Sequence, residues 1–430
     1  MSLEKAVVVH GGARDSYQLA LALSEAGLLE ALVTDLFWPS DRDWAKRMEV
    51  RLSPGLRELV RRRSASLPWD EVQQCVLSGL RGLVLDKLPK VPFAWRRRSN
   101  RAADATLGRA AGRRARDSGA GLVSYSYFGY DAMREYGRPA MLFQVHPHPA
   151  TIRRILRREL ADHPDCAASL TQEWELALPE RDFQHLVDEP KMASHLLVAS
   201  SFTRQSLVEN GAAAKTVTVV PYGVDLEKFY PAERQDGSSG GSFGDGRLHL
   251  LFVGRINQRK GIKYLLESLR AFSAKDVHLT VCGRVVDGLE LFREFGAQVE
   301  VRPSVSEAEL LKAYQAADLF VFPSVAEGFG QVLLESLACG LPILSTTHTA
   351  APDLIEEGVE GFVVEPRRPD LLAERIGWAL EHRAELAAMR EQARRRAEYF
   401  TWGRFRMSAA RAVRNYLATQ PGRRGACSGT

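Results

Sequence analysis

A chain of 430 residues with a 45% apolar share is long enough for two globular domains of ordinary composition. No apolar run approaches the ~20 residues that span a bilayer, and the N-terminal Met1–Gly12 stretch has only a four-residue apolar run, so neither a membrane span nor a signal peptide is expected. Five scattered cysteines, none in a C-x-x-C pair, argue against a disulfide scaffold or zinc knuckle and point to a cytoplasmic setting. The net charge of +5 hides an asymmetry, because residues 41–120 hold nineteen Lys/Arg against nine Asp/Glu. Arg61-Arg62-Arg63 and Trp95-Arg96-Arg97-Arg98 lie in that stretch. Basic residues beside aromatics suit an anionic membrane surface, and no nucleic-acid motif accompanies them.

In chain order, Lys5–His10 reads as a buried strand opening into Gly11-Gly12, with a helix from about Ser16 to Gly27 and a second strand at Ala31–Asp35. This is a Rossmann-like start without the full G-x-G-x-x-G pattern, so a dinucleotide site is not expected. Residues 41–120 read as helical and irregular. Strands follow at Gly121–Ser126 and Ala140–His146, the second ending in His146-Pro147-His148-Pro149. A helix over Ile152–Leu160 sets Arg153/Arg157 and Arg154/Arg158 in four-residue pairs. His195–Ala199 reads as a strand, Ser201 as the cap of the next helix, and Val217–Val220 as a strand leading into Tyr222-Gly223-Val224-Asp225.

Residues 233–247 have a linker's Gly/Ser/Asp composition. A second Rossmann-like run starts beyond them with strand His249–Val253, loop Gly254–Gly261, helix Ile262–Phe272 and strand Val277–Cys282. Strand and helix signals then alternate to about Leu380, as in a doubly wound domain.

The stretch Leu319–Glu335 carries the most chemistry: a buried strand, a Gly328-Phe329-Gly330 loop, then a helix, with Glu327 and Glu335 eight positions apart. Glycines let backbone N–H groups approach a ligand, and a helix N-terminus favours phosphate. A carboxylate beside an anion site needs a neutral partner such as sugar hydroxyls. The expected ligand is therefore both phosphorylated and rich in hydroxyls, which describes a nucleotide sugar. Arg255 and Lys260, on a loop at the carboxyl edge of the same sheet, are placed to neutralise a diphosphate.

The runs PYGVDLEKF, LFVGRINQRKGIKYLLESL, AYQAADLFVFPSVAEGFGQVLLESLACGLPIL and DLIEEGVEGFVVEP occur in that order over residues 195–380. On these the chain resembles the retaining GT-B glycosyltransferases of family 4, the group that carries a glycosyl transferases group 1 domain. The first half resembles the family only through Gly11-Gly12 and His146. The resemblance implies an α/β GT-B fold of two Rossmann-like domains facing a cleft: an acceptor-side domain at 1–232 with a crossing helix at about 403–430, and a donor-binding domain at 233–402. Phe405 and Met407 fit that crossing, and the last residues read as a disordered tail.

The resemblance also implies roles. Glu327 would hold donor-sugar hydroxyls with the N–H groups of Phe329 and Gly330, and Glu335 would hold ribose hydroxyls. Arg255 and Lys260 would bind the diphosphate, Gly12 would let the first loop approach it, and Val305, between Ser304 and Ser306, would flank the base. His146 would stand near the donor sugar, with His148 as its competitor. Tyr222–Asp225 would shape the hinge. The implied activity is metal-independent transfer, with retention and without a cofactor, from a nucleoside-diphosphate sugar to a glycan, lipid-linked or small-molecule acceptor. No D-x-D stands at a suitable strand end to suggest a metal. The enzyme would be cytoplasmic or peripheral on the inner face of the membrane. A pyridoxal phosphorylase on the same fold lacks its signals here, and the other reading is a non-catalytic scaffold in a membrane-associated glycan pathway.

Overall fold

The computed structural model describes residues 4–12, 15–39, 42–52, 60, 63–79, 93–232 and 245–420. Arg61, Arg62, most of the Gly/Ser-rich linker and the C-terminal tail lie outside the described residues.

The first domain is built on seven parallel strands: β1 (Ala6–Val9), β2 (Leu29–Thr34), β3 (Val72–Gln74), β4 (Gly121–Tyr125), β5 (Ala140–Gln144), β6 (Ala193–Val198) and β7 (Val217–Val219). They lie in the order β3-β2-β1-β4-β5-β6-β7. β1, β4 and β5 are buried along their whole length, as strands covered by helices on both faces must be. The second sheet holds β8 (Leu248–Val253), β9 (Val277–Cys282), β10 (Val299–Arg302), β11 (Leu319–Phe322), β12 (Ile343–Thr346) and β13 (Gly361–Val364), in the order β10-β9-β8-β11-β12-β13. In each sheet the strand order reverses once, between β1 and β4 and between β8 and β11. Ligands of open parallel sheets bind beyond the carboxyl ends of the strands at such a point.

The helices that matter for the site are α1 (Gln18–Glu25), α2 (Asp43–Arg51), α3 (Phe93–Ser118), α4 (Gly129–Tyr136), α5 (Pro149–Asp162), α6 (Glu180–Met192), α7 (Ser201–Glu209), α8 (Ile262–Leu269), α9 (Glu307–Ala316), α10 (Gln331–Ala338), α11 (Pro369–Glu381), α12 (Arg383–Ala397) and α13 (Trp402–Thr419). After the second sheet, α13 returns to the first domain. Its Phe405, Ala409, Val413 and Tyr416 join the core of β1, β4 and α1, and Arg406 bonds Glu25 and Gln18 of α1. Where the chain crosses back, the Val224 N–H donates to the Phe400 carbonyl at 2.8 Å. A Cβ on Gly223 would lie 2.2 Å from the Trp402 nitrogen, so only glycine lets the two crossings touch.

Several local readings need correction. Met407 is exposed, because it sits on the face of α13 opposite Phe405 and Ala409. The cap of α7 is Ser200, whose Oγ accepts from the Thr203 N–H, and Ser201 is the first helical residue. α1 begins at Gln18, since Ser16 and Tyr17 take left-handed φ of 51° and 60°. β3 lies in the stretch read as helical and irregular; three edge residues, two of them glutamine, leave no apolar alternation to detect.

Candidate functional site

Loops of both domains converge on a cleft. Loops after β1, β4 and β5 bring Gly11, Ser126, Tyr127, Val145 and His146; loops after β8 and β11 bring Arg255, Lys260 and Glu327. These residues line a cavity of about 410 Å³. A neighbouring cavity of about 590 Å³ shares Val145, His146 and Glu327 and runs past Tyr222, Phe329, Gly330 and Gln331 to Glu335. The two are halves of one cleft.

Glycines at two contacts set this geometry. A Cβ on Gly261 (φ 74°) would stand 2.0 Å from the Pro323 carbonyl oxygen, so glycine lets the β8 loop lie against the β11 loop. That contact delivers the Lys260 ammonium to the Glu327 carboxylate, with which it is ion-paired. A Cβ on Gly328 would stand 2.0 Å from the Val145 carbonyl oxygen, so the Glu327–Gly330 turn touches the first domain directly. The Gly328 carbonyl accepts from the hydroxyls of Ser200 at 2.6 Å and Thr203 at 3.1 Å, which fixes the contact. Gly330, at φ 88°, leads into α10. Phe329 is buried edge-on to Tyr222 with ring centres 5.2 Å apart.

The charges are interlocked. Burial pulls the Lys260 ammonium below the lysine range, to about 7, and Arg259 and Arg255 act in the same direction. The Glu327 carboxylate bound to it works the other way, in favour of its charge. Arg259 donates to Glu173 Oε2 at 2.6 Å and to the Ala326 carbonyl at 3.1 Å, and lies 3.6 Å from Glu175. Burial opposes its charge, but Glu175 and Glu173 outweigh burial and hold it ionised. Arg255 is more exposed and reaches Glu173 only at 3.8 Å. Glu335 accepts from the Tyr314 hydroxyl at 3.0 Å, and burial raises its pKa above the carboxylate range.

The cleft brings together His146, Arg255, Lys260, Glu327, Phe329, Gly330 and Glu335, and Gly328 forms the interdomain contact. Gly12 and Val305 line neither cavity. Gly12 (φ 73°) gives its N–H to Asp35 at 2.9 Å, and it is Gly11 that faces the cleft. Val305 packs against the second core, and Ser306 caps α9 in a capping box with Glu309. His148 lines neither cavity: its Nδ1 caps α5 by accepting from the Ala150 N–H, and burial lowers its pKa to about 4. Tyr222, Val224 and Asp225, expected only at the hinge, also line the second cavity.

Sequence reasoning missed Arg259, Glu173, Trp174, Glu175 and Tyr127. The Glu-Trp-Glu run opens a helix of only four residues, Trp174–Ala177, too short to show a periodicity, and Arg259 looked like any loop cation. Part of the basic surface is also corrected. Arg153 is buried against Glu180 and the Phe183 ring, Arg101 against Asp131, and Arg97 donates to the Gln172 carbonyl. Arg154, Arg157 and Arg158 remain exposed. Among the described residues, no group of His, Cys, Asp or Glu is arranged to hold a metal ion, and no helix is long and apolar enough to cross a membrane.

Comparison with known proteins places the second-domain loops in a family context. Residues 239–396 match the family described as "Glycosyl transferases group 1". The D-inositol 3-phosphate glycosyltransferase of Nocardiopsis dassonvillei is 29% identical over 296 residues, 64% of this chain and 65% of that one. The protein of the same description from Geodermatophilus obscurus is 32% identical over 229 residues, 49% of this chain and 50% of that one. The chain thus spans less than two thirds of these curated relatives. Among solved structures, sucrose-phosphate synthase from Thermosynechococcus elongatus superposes with a TM-score of 0.63 at 17% identity, covering 97% of this chain and all of the other. Anabaena HepE in complex with UDP superposes with a TM-score of 0.60 at 15% identity, covering 96% of this chain and all of the other.

Proposed function

This chain has the GT-B fold and carries a domain of the glycosyl transferases group 1 family, and from that premise we propose that it moves a sugar from a nucleoside-diphosphate sugar to an acceptor hydroxyl with retention at the anomeric carbon. The observation that carries this reading is the Lys260–Glu327 pair, held beside Arg255 and opposite His146 in one cleft. Lys260 and Arg255 take the diphosphate, Glu327 the hydroxyls of the donor sugar, and Glu335 the ribose. Solved complexes of Anabaena HepE with UDP and with UDP-glucose support a donor of this kind. The domain boundary falls near residue 232, with α13 belonging to the first domain.

In the transfer step the acceptor oxygen bonds to the anomeric carbon on the face from which the diphosphate leaves. The bond between that carbon and the diphosphate oxygen breaks, and the acceptor proton passes to a donor phosphate oxygen. Side-chain cations compensate the growing charge, so the chemistry is positioning and electrostatic stabilisation. His146 stands at the donor sugar.

Thermal stabilisation by a panel of nucleoside diphosphates and their sugars, with and without EDTA, tests this. One preferred base, unaffected by EDTA, is expected, and the product NMR spectrum should show the donor's anomeric configuration retained. No shift with any nucleotide would refute the reading and promote the scaffold alternative. An anionic membrane surface is the second partner we propose. It rests on exposed Trp44 and Met48 one turn apart on α2 beside Lys46 and Arg47, and on exposed Trp95. Co-sedimentation with anionic but not neutral vesicles is expected, and indifference to both would end that part of the proposal.

A further inference from the structure

The first-domain wall of the cleft holds a built feature that donor binding does not use. Tyr127, just past β4, has a φ of 79°, a left-handed conformation rare for a bulky side chain and usually retained at functional sites. It is held there by Glu189 of α6, fully buried, whose carboxylate accepts from the N–H groups of Tyr127 at 2.9 Å and Tyr130 at 3.1 Å. The conformation aims the Tyr127 ring at Trp174, with centres 5.8 Å apart and planes at 51°, and edge-on at His146, also 5.8 Å away. Both rings are backed by Leu178, Phe183 and Leu186 and both line the cavity opposite Lys260 and Glu327.

The charged groups of this wall are carboxylates, two of them held by an arginine of the second domain. Among the described residues, the first domain lines the cavity with Asp104, Glu173 and Glu175 and with no lysine or arginine. The cations Arg255, Arg259 and Lys260 come from the second domain, and Arg259 is already bound to Glu173. Two aromatic faces beside hydroxyl and carboxylate acceptors suit a ring with C–H faces and hydroxyl edges. An anionic substituent placed there would find no first-domain cation among the described residues, and could gain Arg259 only by drawing it from Glu173 and Glu175.

We propose that Tyr127 and Trp174 form the platform on which the acceptor lies, and that the acceptor's reacting ring is an uncharged pyranose or cyclitol rather than a phosphorylated one. This rests on the transferase reading above. The platform fixes the ring so that one hydroxyl faces the donor sugar between His146 and Glu327. It makes Tyr127 and Trp174 specificity-determining residues.

The test uses the full chain saturated with the nucleoside diphosphate that stabilises it. Saturation-transfer NMR and titration then compare methyl glucosides, galactosides and mannosides and myo-inositol with glucose 6-phosphate and inositol 3-phosphate. A neutral ring is expected to bind, and the phosphorylated ones to bind more weakly. Tyr127→Gly, which accommodates the backbone conformation, and Trp174→Ala should each weaken the neutral ring about tenfold while leaving nucleotide affinity unchanged. Tyr127→Phe, which keeps the ring, should bind like wild type. If the wild type binds no nucleotide, the transferase reading fails and this one with it. Three results with nucleotide bound would overturn the platform alone: no neutral ring binds, a phosphorylated ring binds more tightly, or the two variants lose nucleotide and ring together.

Discussion

Gly328→Ala gives the sharpest test of how the two domains meet. The new Cβ would lie 2.0 Å from the Val145 carbonyl oxygen and 3.0 Å from the His146 Cα. Both neighbours are backbone atoms and cannot rotate aside, so the turn or the whole second domain must retreat by about 1 Å to reach ordinary contact. The Ser200 and Thr203 hydroxyl bonds to the Gly328 carbonyl oppose that retreat. Overpacking of this kind costs about 1–3 kcal/mol, which lowers the melting temperature by roughly 2–10 °C. The same retreat carries Glu327 away from His146, and a displacement of about 1 Å at a reacting centre costs on the order of a hundredfold in turnover. Nucleotide affinity should survive within a few-fold, because Arg255, Lys260, Glu327 and Glu335 all stand on the second domain and move together. Steady-state transfer kinetics, nucleotide titration and thermal melting on one preparation separate these effects. Gly377→Ala, inside α11 with only ordinary contacts at 3.8 Å, is the control and should be neutral or slightly stabilising. Wild-type turnover and stability in Gly328→Ala would refute the claim that this contact sets the catalytic geometry.

Three further outcomes are expected. Arg259→Met leaves Glu173 and Glu175 buried without their cation and should cost about 3–5 kcal/mol in urea unfolding; adding Glu173→Gln and Glu175→Gln should recover part of it, and no recovery would refute the pairing as the cause. Burial raises Glu189 from the usual 4.5 to about 7, so its stabilising contribution is complete below pH 4.5 and lost as pH rises to about 7; Glu189→Gln should remove that slope from the wild-type stability profile, and parallel profiles would refute it. Lys260→Ala and Glu327→Ala should each leave a folded protein with transfer reduced about a hundredfold or more, and wild-type turnover in either would remove that residue from the mechanism.

The second domain was largely legible because its chemistry is local in sequence. Strand, glycine turn and helix follow one another at Leu319–Glu335, so the turn that positions Glu327 can be read within seventeen residues. The strand Val277–Cys282 has the bounds its apolar run suggested. The first domain is assembled from distant pieces. Tyr127 is shaped by Glu189, sixty-two positions away, and Glu173 meets Arg259 across eighty-six. No periodicity or spacing encodes such pairs. Gly12 and Val305 line neither cavity for a related reason: a motif gives a loop's position along the chain, but not which of its residues turns inward. Charge counted along the basic stretch does not distinguish a solvated arginine from Arg101, which is buried against Asp131.

The cleft without ligand is self-neutralising, and this constrains how the donor enters it. Lys260 holds Glu327, and Arg259 holds Glu173 and Glu175. Buried charges tolerate this environment only when paired. On the proposed reading, a diphosphate that draws Lys260 towards itself weakens the bond to Glu327, and the sugar hydroxyls would supply that carboxylate with new donors. On that reading phosphate capture and sugar recognition are coupled: a nucleoside diphosphate alone would bring the carboxylate no new donor, whereas the complete sugar nucleotide would satisfy both members of the pair. On this account the losses in Lys260→Ala and Glu327→Ala are not additive, because either substitution already breaks the exchange. A double variant that lost the product of the two single effects would mean that lysine and carboxylate act independently, and that their pairing in the empty cleft has no part in selecting the donor.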